Sequence, residues 1–319
     1  MRAPCSALPM ADVRATIAIC TRNRASILAR SLDSLCAMRV PAGASWEVVV
    51  VDNRSTDETQ AVVARFGARL PVRVVVEPSA GLSAARNRAV AEARGNYILW
   101  TDDDAVVDAD WLAGYLEAFA AWPDAALFGG PIDVAFDAPV PDWFARILPR
   151  VKALYAYRDL GAEPIALLPR EEMLPFGTNY AIRAAEQRRY LYDESLGRHP
   201  QHPQRGSEET EVMLTMLESG LVGRWVPGAR VTHLKGTDVA TTAFIAAHSA
   251  AYGAYRVGRF PPAGVRVAGA PLHAWWRAAR WAARYALSRR FSPPEVWIED
   301  LIETSEASGA LKWLRARQG

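Results

Sequence analysis

The segment Tyr97-Ile98-Leu99-Trp100-Thr101-Asp102-Asp103-Asp104 joins an apolar run to three consecutive aspartates. The apolar run predicts a buried strand, so the aspartates lie at its carboxyl end. In open α/β sheets, ligands bind at that edge. Three adjacent carboxylates repel one another unless a cation or hydrogen bonds compensate, and Mg²⁺ and Mn²⁺ suit such oxygen ligands. The segment therefore predicts either a metal-bridged nucleotide phosphate or an acidic turn that caps the next helix.

Strand and helix patterns alternate through the first half of the chain. Buried strands are predicted at 15–20, 46–51, 72–76 and 97–101, and amphipathic helices lie between them. Helices of this length between strands imply right-handed crossovers and a mainly parallel sheet. We therefore expect an α/β fold.

Polar clusters follow three of these strands. They are Thr21-Arg22-Asn23, Asp52-Asn53 and Asp102-Asp103-Asp104. Because the carboxyl ends of parallel strands meet at one edge of a sheet, these clusters are expected to converge on one face. Their convergence is a stronger indication of a ligand site than any one cluster.

The length of 319 residues allows one large α/β domain with an extension, or two modest domains. We predict an N-terminal extension at 1–12 and a main domain at 13–238. The main domain divides into halves at about 13–122 and 123–238. A change of character near residue 238 then predicts a helical C-terminal extension at 239–319.

Composition narrows the class of protein. A net charge of +2 gives no reason to expect nucleic-acid binding. Three cysteines, Cys5, Cys20 and Cys36, form no metal-ligand pattern and leave one unpaired, which favours a reducing compartment. No segment approaches the roughly 20 apolar residues that span a bilayer, and the N-terminus lacks the pattern of a secretory signal. We therefore expect a cytoplasmic protein.

The order of these motifs resembles the family 2 glycosyltransferases of the GT-A fold. The matching segments are 17–24, 48–58, 81–91, 97–112, 176–182 and 206–217. The resemblance implies a Rossmann-like, mainly parallel sheet flanked by helices. It also implies an inverting transfer of sugar by direct displacement from a nucleoside-diphosphate sugar, with a UDP-sugar as the default donor. The implied cofactor is a divalent metal, Mn²⁺ or Mg²⁺. The implied acceptor is a hydroxyl of a saccharide, a lipid-linked glycan or a small molecule.

The resemblance assigns the strand ends and one helix to the donor. The donor-binding residues that it implies are Thr21, Arg22, Asn23, Asp52, Asn53, Arg86, Asn87, Asp102 and Asp103. The alternatives are solvation of strand ends for Thr21 to Asn23, a helix cap for Asp52, and simple surface placement for Arg86 and Asn87.

The aspartate cluster matches the DxD pattern of the resembled family, with Asp102 and Asp104 at its outer positions. The resemblance makes Asp104 the leading metal ligand, Asp102 a contact to ribose or metal, and Asp103 a contact to the donor sugar, and three aspartates in a row leave the register of these roles open. His233 follows a strand in Val231-Thr232-His233, and the resemblance makes it a third metal ligand. An imidazole is a suitable ligand beside carboxylates, although a lone histidine is more often structural.

Glu208-Glu209 stands where the resembled family usually has Glu-Asp before a helix. A carboxylate at this point would deprotonate the acceptor hydroxyl during its attack, which requires hydrogen-bond reach to that hydroxyl. We assign this role to Glu209, with Glu208 as the second choice. The alternative is favourable negative charge at a helix N-terminus.

Aromatic and amide side chains further along the chain are candidates for the acceptor side. They are Asn179, Tyr180, Trp143 and its neighbour Phe144. Aromatic rings stack on sugars, but they also fill protein cores.

The C-terminal helices combine tryptophan with arginine over 271–317. That mixture is typical of a helix that lies on a membrane surface, here the inner face of the membrane. It equally suits a helix whose arginine stems cover apolar surface on the catalytic domain or a second subunit.

Two rival functions remain open. One is a catalytically silent protein that binds a nucleotide sugar or a carbohydrate. The other is a nucleotidyltransferase, which usually shows a glycine-rich basic loop after its first strand. Thr21-Arg22-Asn23-Arg24 contains no glycine and argues against the nucleotidyltransferase.

Overall fold

A computed structural model describes residues 14–201 and 206–316. These residues divide into two units. The first comprises 14–135, 156–200 and 208–234, and the second contains 136–155 and 235–316. The division places 136–155 with the C-terminal helices, whereas the sequence placed that segment in the 13–238 domain. The predicted extension at 1–12 lies outside the described residues.

The secondary structure alternates through the first unit, as the hydrophobic pattern predicts. The strands are β1 (Arg14–Thr21), β2 (Ser45–Asp52), β3 (Val72–Val76), β4 (Tyr97–Thr101), β5 (Ala105–Val107), β6 (Ala125–Gly129), β7 (Ile132–Phe136), β8 (Ala166–Leu167), β9 (Asn179–Arg183), β10 (Val222–Trp225), β11 (Val231–Lys235), β12 (Arg266–Val267) and β13 (Ala270–Pro271). The helices are α1 (Ala25–Cys36), α2 (Thr59–Phe66), α3 (Leu82–Glu92), α4 (Trp111–Ala121), α5 (Asp142–Val151), α6 (Ala184–Gln187), α7 (Glu208–Glu218), α8 (Thr242–Arg259), α9 (Leu272–Phe291) and α10 (Pro294–Ala316).

The first unit is built on an eight-stranded sheet of order β3-β2-β1-β4-β9-β6-β10-β8. The strands β3, β2, β1 and β4 are parallel, and β6 is parallel to β10. Strand β9 is antiparallel to both β4 and β6, and β8 is antiparallel to β10. The prediction of a mainly parallel α/β sheet flanked by helices is confirmed.

The sheet is buried on both faces, which explains why its strands are continuously apolar. Ile17 and Ile19 of β1 pack in one core together with Leu28 and Leu32 of α1. Ala18, between the two isoleucines, belongs to the core on the opposite face, with residues of α3 and α7. Successive side chains of a strand point to opposite faces, so one apolar run supplies both cores.

The register of the sheet determines how far each strand extends toward the carboxyl edge. Thr21 is the partner of Asp52 in the β1–β2 pair, and Ala18 is the partner of Trp100 in the β1–β4 pair. A second, three-stranded sheet has the order β5-β11-β7. It pairs His233 with Ala105, one residue after Asp104. These registers bring residues distant in sequence to one edge.

The second unit consists mainly of α5, α8, α9 and α10, with the short β12–β13 hairpin before α9. Trp143 of α5 stacks on Trp297 of α10, with ring centroids 6.0 Å apart. Ion pairs join Arg150 to Glu299 and Arg277 to Glu303. None of the helices in the described ranges has the length and apolar character that a bilayer-spanning segment needs.

Candidate active site

Asp103 is turned toward the end of β1 rather than toward solvent. Its carboxylate accepts a hydrogen bond from the Thr21 hydroxyl at 2.6 Å and one from the Arg24 guanidinium at 2.6 Å. Burial raises the pKa of Asp103 to about 7, opposed by the charge of Arg24 and reinforced by that of Asp104. The structure therefore makes Asp103 a buried group that positions the cluster, and not the open donor-sugar contact that the sequence predicted.

Asp102 and Asp104 lie on either side of this buried carboxyl. The Asp102 side chain is 31% exposed and accepts a hydrogen bond from the Thr178 hydroxyl at 2.7 Å. Asp104 is buried, and its two oxygens contact Nε2 of His233 at 3.0 Å and the Arg24 guanidinium at 2.9 Å. The β5–β11 register places His233 beside Asp104.

The three predicted metal-binding residues are close enough to share one ion. Asp102, Asp104 and His233 each offer a ligand atom, and these atoms all lie within 4.8 Å of one another. Two carboxylates and one imidazole form a donor set that suits Mn²⁺ and accommodates Mg²⁺. The residues therefore fit the divalent cation that the sequence predicts.

The end of β2 is tied to its own loop. The Asp52 carboxylate accepts hydrogen bonds from the Ser55 backbone N–H at 2.8 Å and from Gln60 Nε2 at 2.7 Å. Asp52 is buried, and each of its oxygens keeps one lone pair beyond these hydrogen bonds. Both N–H groups of the Asn53 amide are used, on the Glu77 and Ser79 carbonyls, and its oxygen accepts from the Gly81 N–H. The structure thus assigns Asn53 to holding a loop.

The other three predicted donor residues differ in whether their side chains already form hydrogen bonds within the protein. Asn23, in the left-handed region at φ 53°, accepts a hydrogen bond from the Thr56 N–H at 2.7 Å. Asn87 exchanges hydrogen bonds with the backbone of Tyr192, both at 2.9 Å. The Arg22 side chain is half-buried and makes no hydrogen bond or ion pair within the described part of the chain. Of these three residues, Arg22 alone presents an unengaged cation at the strand edge.

Arg86 is buried between the two acidic clusters. Its guanidinium lies 3.2 Å from a Glu208 oxygen, 3.7 Å from a Glu209 oxygen and 3.9 Å from an Asp102 oxygen. It also lies over the rings of Trp100, Tyr180 and Tyr192 at 5.4–5.9 Å. Arg86 is therefore neither on the surface nor open to a diphosphate, and its positive charge offsets the carboxylates around it.

The two glutamates at the start of α7 have different surroundings. The Glu208 side chain is 2% exposed, and its Oε2 has no hydrogen-bond partner among the described residues. Burial and the adjacent charge of Glu209 raise the pKa of Glu208 to about 7, and Arg86 opposes that shift. The Glu209 side chain is 13% exposed. Glu209 is therefore the more accessible of the two predicted bases.

Two glycines allow this close packing. A Cβ on Gly177 would lie 2.7 Å from the Arg86 guanidinium and 3.3 Å from the Glu209 carboxylate. A Cβ on Gly197 would lie 2.7 Å from the Ser83 hydroxyl and 3.2 Å from the Glu208 carboxylate. These contacts are shorter than ordinary van der Waals distances, so a side chain at either position would displace the neighbouring side chains, and Gly197 in addition has a φ of 80°.

A family model described as glycosyl transferase family 2 matches residues 16–183, which is more than half of the chain. The chain belongs to glycosyl transferase family 2. Among curated relatives, it is 32% identical over 138 residues to the succinoglycan biosynthesis protein ExoM of Rhizobium meliloti, covering 43% of this chain and 44% of the relative. It is 33% identical over 116 residues to chondroitin synthase of Escherichia coli, covering 36% and 17% of the two proteins. The chain thus spans less than half the length of these relatives.

Solved structures of other glycosyltransferases share the GT-A fold of this family 2 member. The mannosyltransferase PcManGT from Pyrobaculum calidifontis, in complex with GDP-Man and Mn²⁺, superposes with a TM-score of 0.60 at 19% identity. The match covers 96% of this chain and 88% of that one. S. aureus TarS 1–349, in complex with UDP-GlcNAc, gives a TM-score of 0.51 at 16% identity, covering 96% and 92%. At these identities the likeness concerns the fold.

Two of the residues predicted for the acceptor of this family 2 protein, Asn179 and Tyr180, are enclosed in the core. Asn179 is fully buried, with its oxygen accepting from Trp111 Nε1 and Tyr115 OH and its nitrogen donating to two carbonyls. Tyr180 is fully buried and shares a 2.5 Å hydrogen bond with Tyr192. Trp143 and Phe144 belong to the second unit. Neither Asn179 nor Tyr180 is accessible to a sugar, because both fill the core.

Sequence reasoning missed two residues of this family 2 site. Arg24 neutralises Asp103 and Asp104, and Thr178 donates to Asp102. Arg24 is the next residue after the recognised Thr21-Arg22-Asn23 cluster, so its position was a usable signal. Thr178 precedes β9, whose antiparallel insertion beside β4 is a tertiary feature with no local signature.

Proposed function

We propose that this chain is an inverting glycosyltransferase that moves a sugar from a nucleoside-diphosphate sugar to an acceptor hydroxyl. The observation that carries the proposal is the convergence of two acidic clusters on one buried guanidinium. Asp102 lies 3.9 Å and Glu209 lies 3.7 Å from the Arg86 side chain. A metal-binding group and a candidate base are thus neighbours, as a displacement on a metal-bound donor requires.

On the donor side, Asp102, Asp104 and His233 are the residues that would hold Mn²⁺ or Mg²⁺. The bound cation would neutralise charge on the leaving diphosphate and orient it. Asp103, Thr21 and Arg24 keep the cluster in place through their buried hydrogen bonds. Arg22 supplies a further positive charge at the same strand edge, and Asp52 has lone pairs available for the ribose or base.

On the acceptor side, Glu209 acts as the general base. As the acceptor oxygen attacks the anomeric carbon, its proton passes to a Glu209 carboxylate oxygen. The bond from the anomeric carbon to the diphosphate oxygen breaks, and the nucleoside diphosphate leaves. Attack on the face opposite the leaving group inverts the anomeric centre. Glu208, held against Arg86 at 3.2 Å, fixes the guanidinium that faces Glu209.

We propose a UDP-sugar as the donor and a saccharide, lipid-linked glycan or small molecule as the acceptor. Support for the nucleotide comes from two solved structures of TarS 1–349, which contain UDP-GlcNAc and UDP. GDP-mannose is the second candidate, because PcManGT contains GDP-Man with Mn²⁺. The ExoM and chondroitin synthase relatives favour a saccharide acceptor.

A thermal-shift screen of UDP, GDP and dTDP, each with and without Mn²⁺, tests the donor site. A ligand that binds only the native state adds about 2.7 kcal/mol to the free energy of unfolding at a hundred times its Kd, and the melting temperature rises as a result. We expect a shift with UDP that requires Mn²⁺ and that is lost in Asp104→Ala. The matched control is Asp108→Ala, an exposed aspartate four residues along the chain. If Asp104→Ala retains the wild-type shift, the metal assignment is wrong, and if no nucleotide shifts the wild type, the preformed donor site is wrong.

A further inference from the structure

Helix α9 presents an unpartnered apolar face. None of its twenty residues is buried. Leu272, Trp276, Leu287 and Phe291 are 60%, 63%, 64% and 76% exposed. Their spacings of four, eleven and four residues place all four on one side of a helix. At 1.5 Å per residue, this side forms an apolar stripe about 30 Å long.

The opposite side of α9 is already used. Tyr285 contacts the ring of Trp297 in α10, with centroids 6.4 Å apart. Trp275 donates from Nε1 to the Val267 carbonyl of the β12–β13 hairpin at 2.8 Å, and Arg315 lies over its ring. The stripe is therefore additional to the surface by which α9 packs within the second unit.

The charges of α9 are all of one sign. The helix contains five arginines and no aspartate or glutamate. Arg277 pairs with Glu303 at 2.9 Å, and Arg284 contacts Asp300 at 2.8 Å. The other three arginines are exposed and form no ion pair within the described residues. Arg289 donates to the Tyr285 hydroxyl and lies over the Trp297 ring, on the side that packs on α10. Arg280 and Arg290 lie on the same side as the apolar stripe. The outer surface of α9 thus combines apolar side chains with uncompensated positive charge.

The apolar stripe continues into the loop that precedes α9. Val265 is 78% exposed and lines a shallow pocket with Leu272, His273 and Trp276. Val267 of the hairpin is 50% exposed. Several large apolar side chains therefore lie together at the N-terminal end of the helix. Single exposed apolar residues are common on protein surfaces, but a contiguous group of them indicates a binding surface.

We propose that α9 and its preceding loop form a docking surface for an anionic lipid bilayer. A helix with tryptophan and leucine on one side and arginine beside them lies in the plane of the interface, with its apolar side chains among the acyl chains. Each arginine near an anionic leaflet contributes attraction, while long arginine stems let the guanidinium reach the headgroups. A second copy of the chain is a poorer occupant, because the unpaired arginines of its α9 would face the unpaired arginines of the first α9 and repel them. This proposal is independent of the donor, the acceptor and the metal.

Vesicle co-sedimentation of the full chain tests the proposal. The probes are phosphatidylcholine vesicles with and without phosphatidylglycerol, at low and high salt. The first variant is Trp276→Ser with Phe291→Ser, and the second carries Arg280→Gln and Arg290→Gln. Matched controls in the first unit are Leu191→Ser and the double change Arg30→Gln, Arg65→Gln, all at exposed positions. Because the changed side chains are exposed, the variants are expected to fold.

We expect the wild type to sediment with the phosphatidylglycerol vesicles and to be released by salt. At about 1 kcal/mol for each arginine, the arginine variant loses roughly thirtyfold in partitioning. The variant with Trp276→Ser and Phe291→Ser loses binding through its apolar side chains, while the controls behave as the wild type. The proposal is overturned if the wild type ignores anionic vesicles, or if both patch variants bind like their controls. It is also overturned if the wild type is a dimer by light scattering that Trp276→Ser with Phe291→Ser converts to a monomer, which would assign the stripe to a second copy.

Discussion

The two acidic clusters of the active site solve the same electrostatic problem in different ways. Each contains a buried carboxyl whose pKa is raised to about 7, Asp103 in one and Glu208 in the other. Each is compensated by an arginine, Arg24 or Arg86. Both oxygens of Asp103 are hydrogen-bonded, whereas Oε2 of Glu208 has no partner among the described residues.

The Asp103 carboxyl is therefore held at both oxygens, whereas the Glu208 carboxyl is held at one. Thr21, Thr178 and His233 support the aspartates in addition to Arg24. The glutamates depend on Arg86, which is itself only 4% exposed. An unpaired charge lowers the free energy of unfolding far more when it is buried than when it is exposed. We therefore expect the glutamate cluster to be the more sensitive of the two to substitution, both in turnover and in stability.

The largest effect is expected from Glu209→Gln. The amide keeps the size of the side chain but cannot accept the acceptor proton, so turnover falls between about a hundredfold and ten thousandfold. Donor binding is retained, because Glu209 is not one of the residues that would hold the cation. Steady-state release of nucleoside diphosphate and a thermal shift with donor nucleotide and Mn²⁺ measure the two properties.

Two variants calibrate that result. Glu218→Gln makes the same change at the exposed, opposite end of α7 and is expected to leave turnover unchanged. Glu208→Gln is expected to lower turnover less than Glu209→Gln does. If Glu208→Gln abolishes turnover and Glu209→Gln does not, the base is Glu208. A wild type that binds donor but never turns it over with any acceptor favours the silent binding protein instead.

The second effect concerns stability and compares the two arginines directly. Arg86→Met leaves Glu208 and Glu209 without their cation, and breaking a buried ion pair costs about 3–5 kcal/mol. Arg24→Met is expected to cost less, because the Arg24 side chain is 34% exposed and the aspartates keep their other donors. Urea unfolding at neutral pH measures both.

A double variant keeps this comparison informative if Arg86→Met folds poorly. Adding Glu208→Gln to Arg86→Met removes one of the uncompensated charges, so part of the lost stability is expected to return. The same Glu208→Gln change added to Arg24→Met has no reason to help. Equal losses for the two arginine variants, with no rescue by Glu208→Gln, would contradict the dependence on Arg86.

Local sequence predicted the framework of the site but not which strand-end residues face a ligand. Apolar runs and polar ends identify β1, β2 and β4, and parallel strands align those ends, which is why Thr21, Asp52 and the aspartates lie at one edge. The same rule cannot distinguish Asp102, which is partly exposed, from Asn53, whose amide holds the 77–81 loop. That distinction depends on hydrogen bonds across tens of residues.

Burial accounts for the other difference between prediction and structure. Tyr180 was an acceptor candidate because of its ring, but β9 runs between β4 and β6 in the middle of the sheet, where its side chains are enclosed. Nothing in Asn179-Tyr180 itself indicates that β9 inserts there as an antiparallel strand. Likewise, the three-residue β5 is too short to give a periodic pattern, yet its pairing with β11 positions His233.

The smallest effect is the pH dependence that Glu208 gives to the free energy of unfolding. The pKa of Glu208 rises from 4.5 to about 7 in the folded chain. The native state therefore holds a proton that the unfolded state has released between these values, so its contribution is fully present below 4.5 and is lost as the pH rises through 7. The loss is at most about 3 kcal/mol.

Glu208→Gln mimics the protonated form and lacks this loss, whereas Asp103 titrates equally in both proteins. Urea unfolding at pH values on either side of this window should show the wild type losing more stability than Glu208→Gln as pH increases. Parallel pH profiles for the two proteins would mean that Glu208 is ionised throughout, with Arg86 alone sufficient to hold both glutamates as carboxylates.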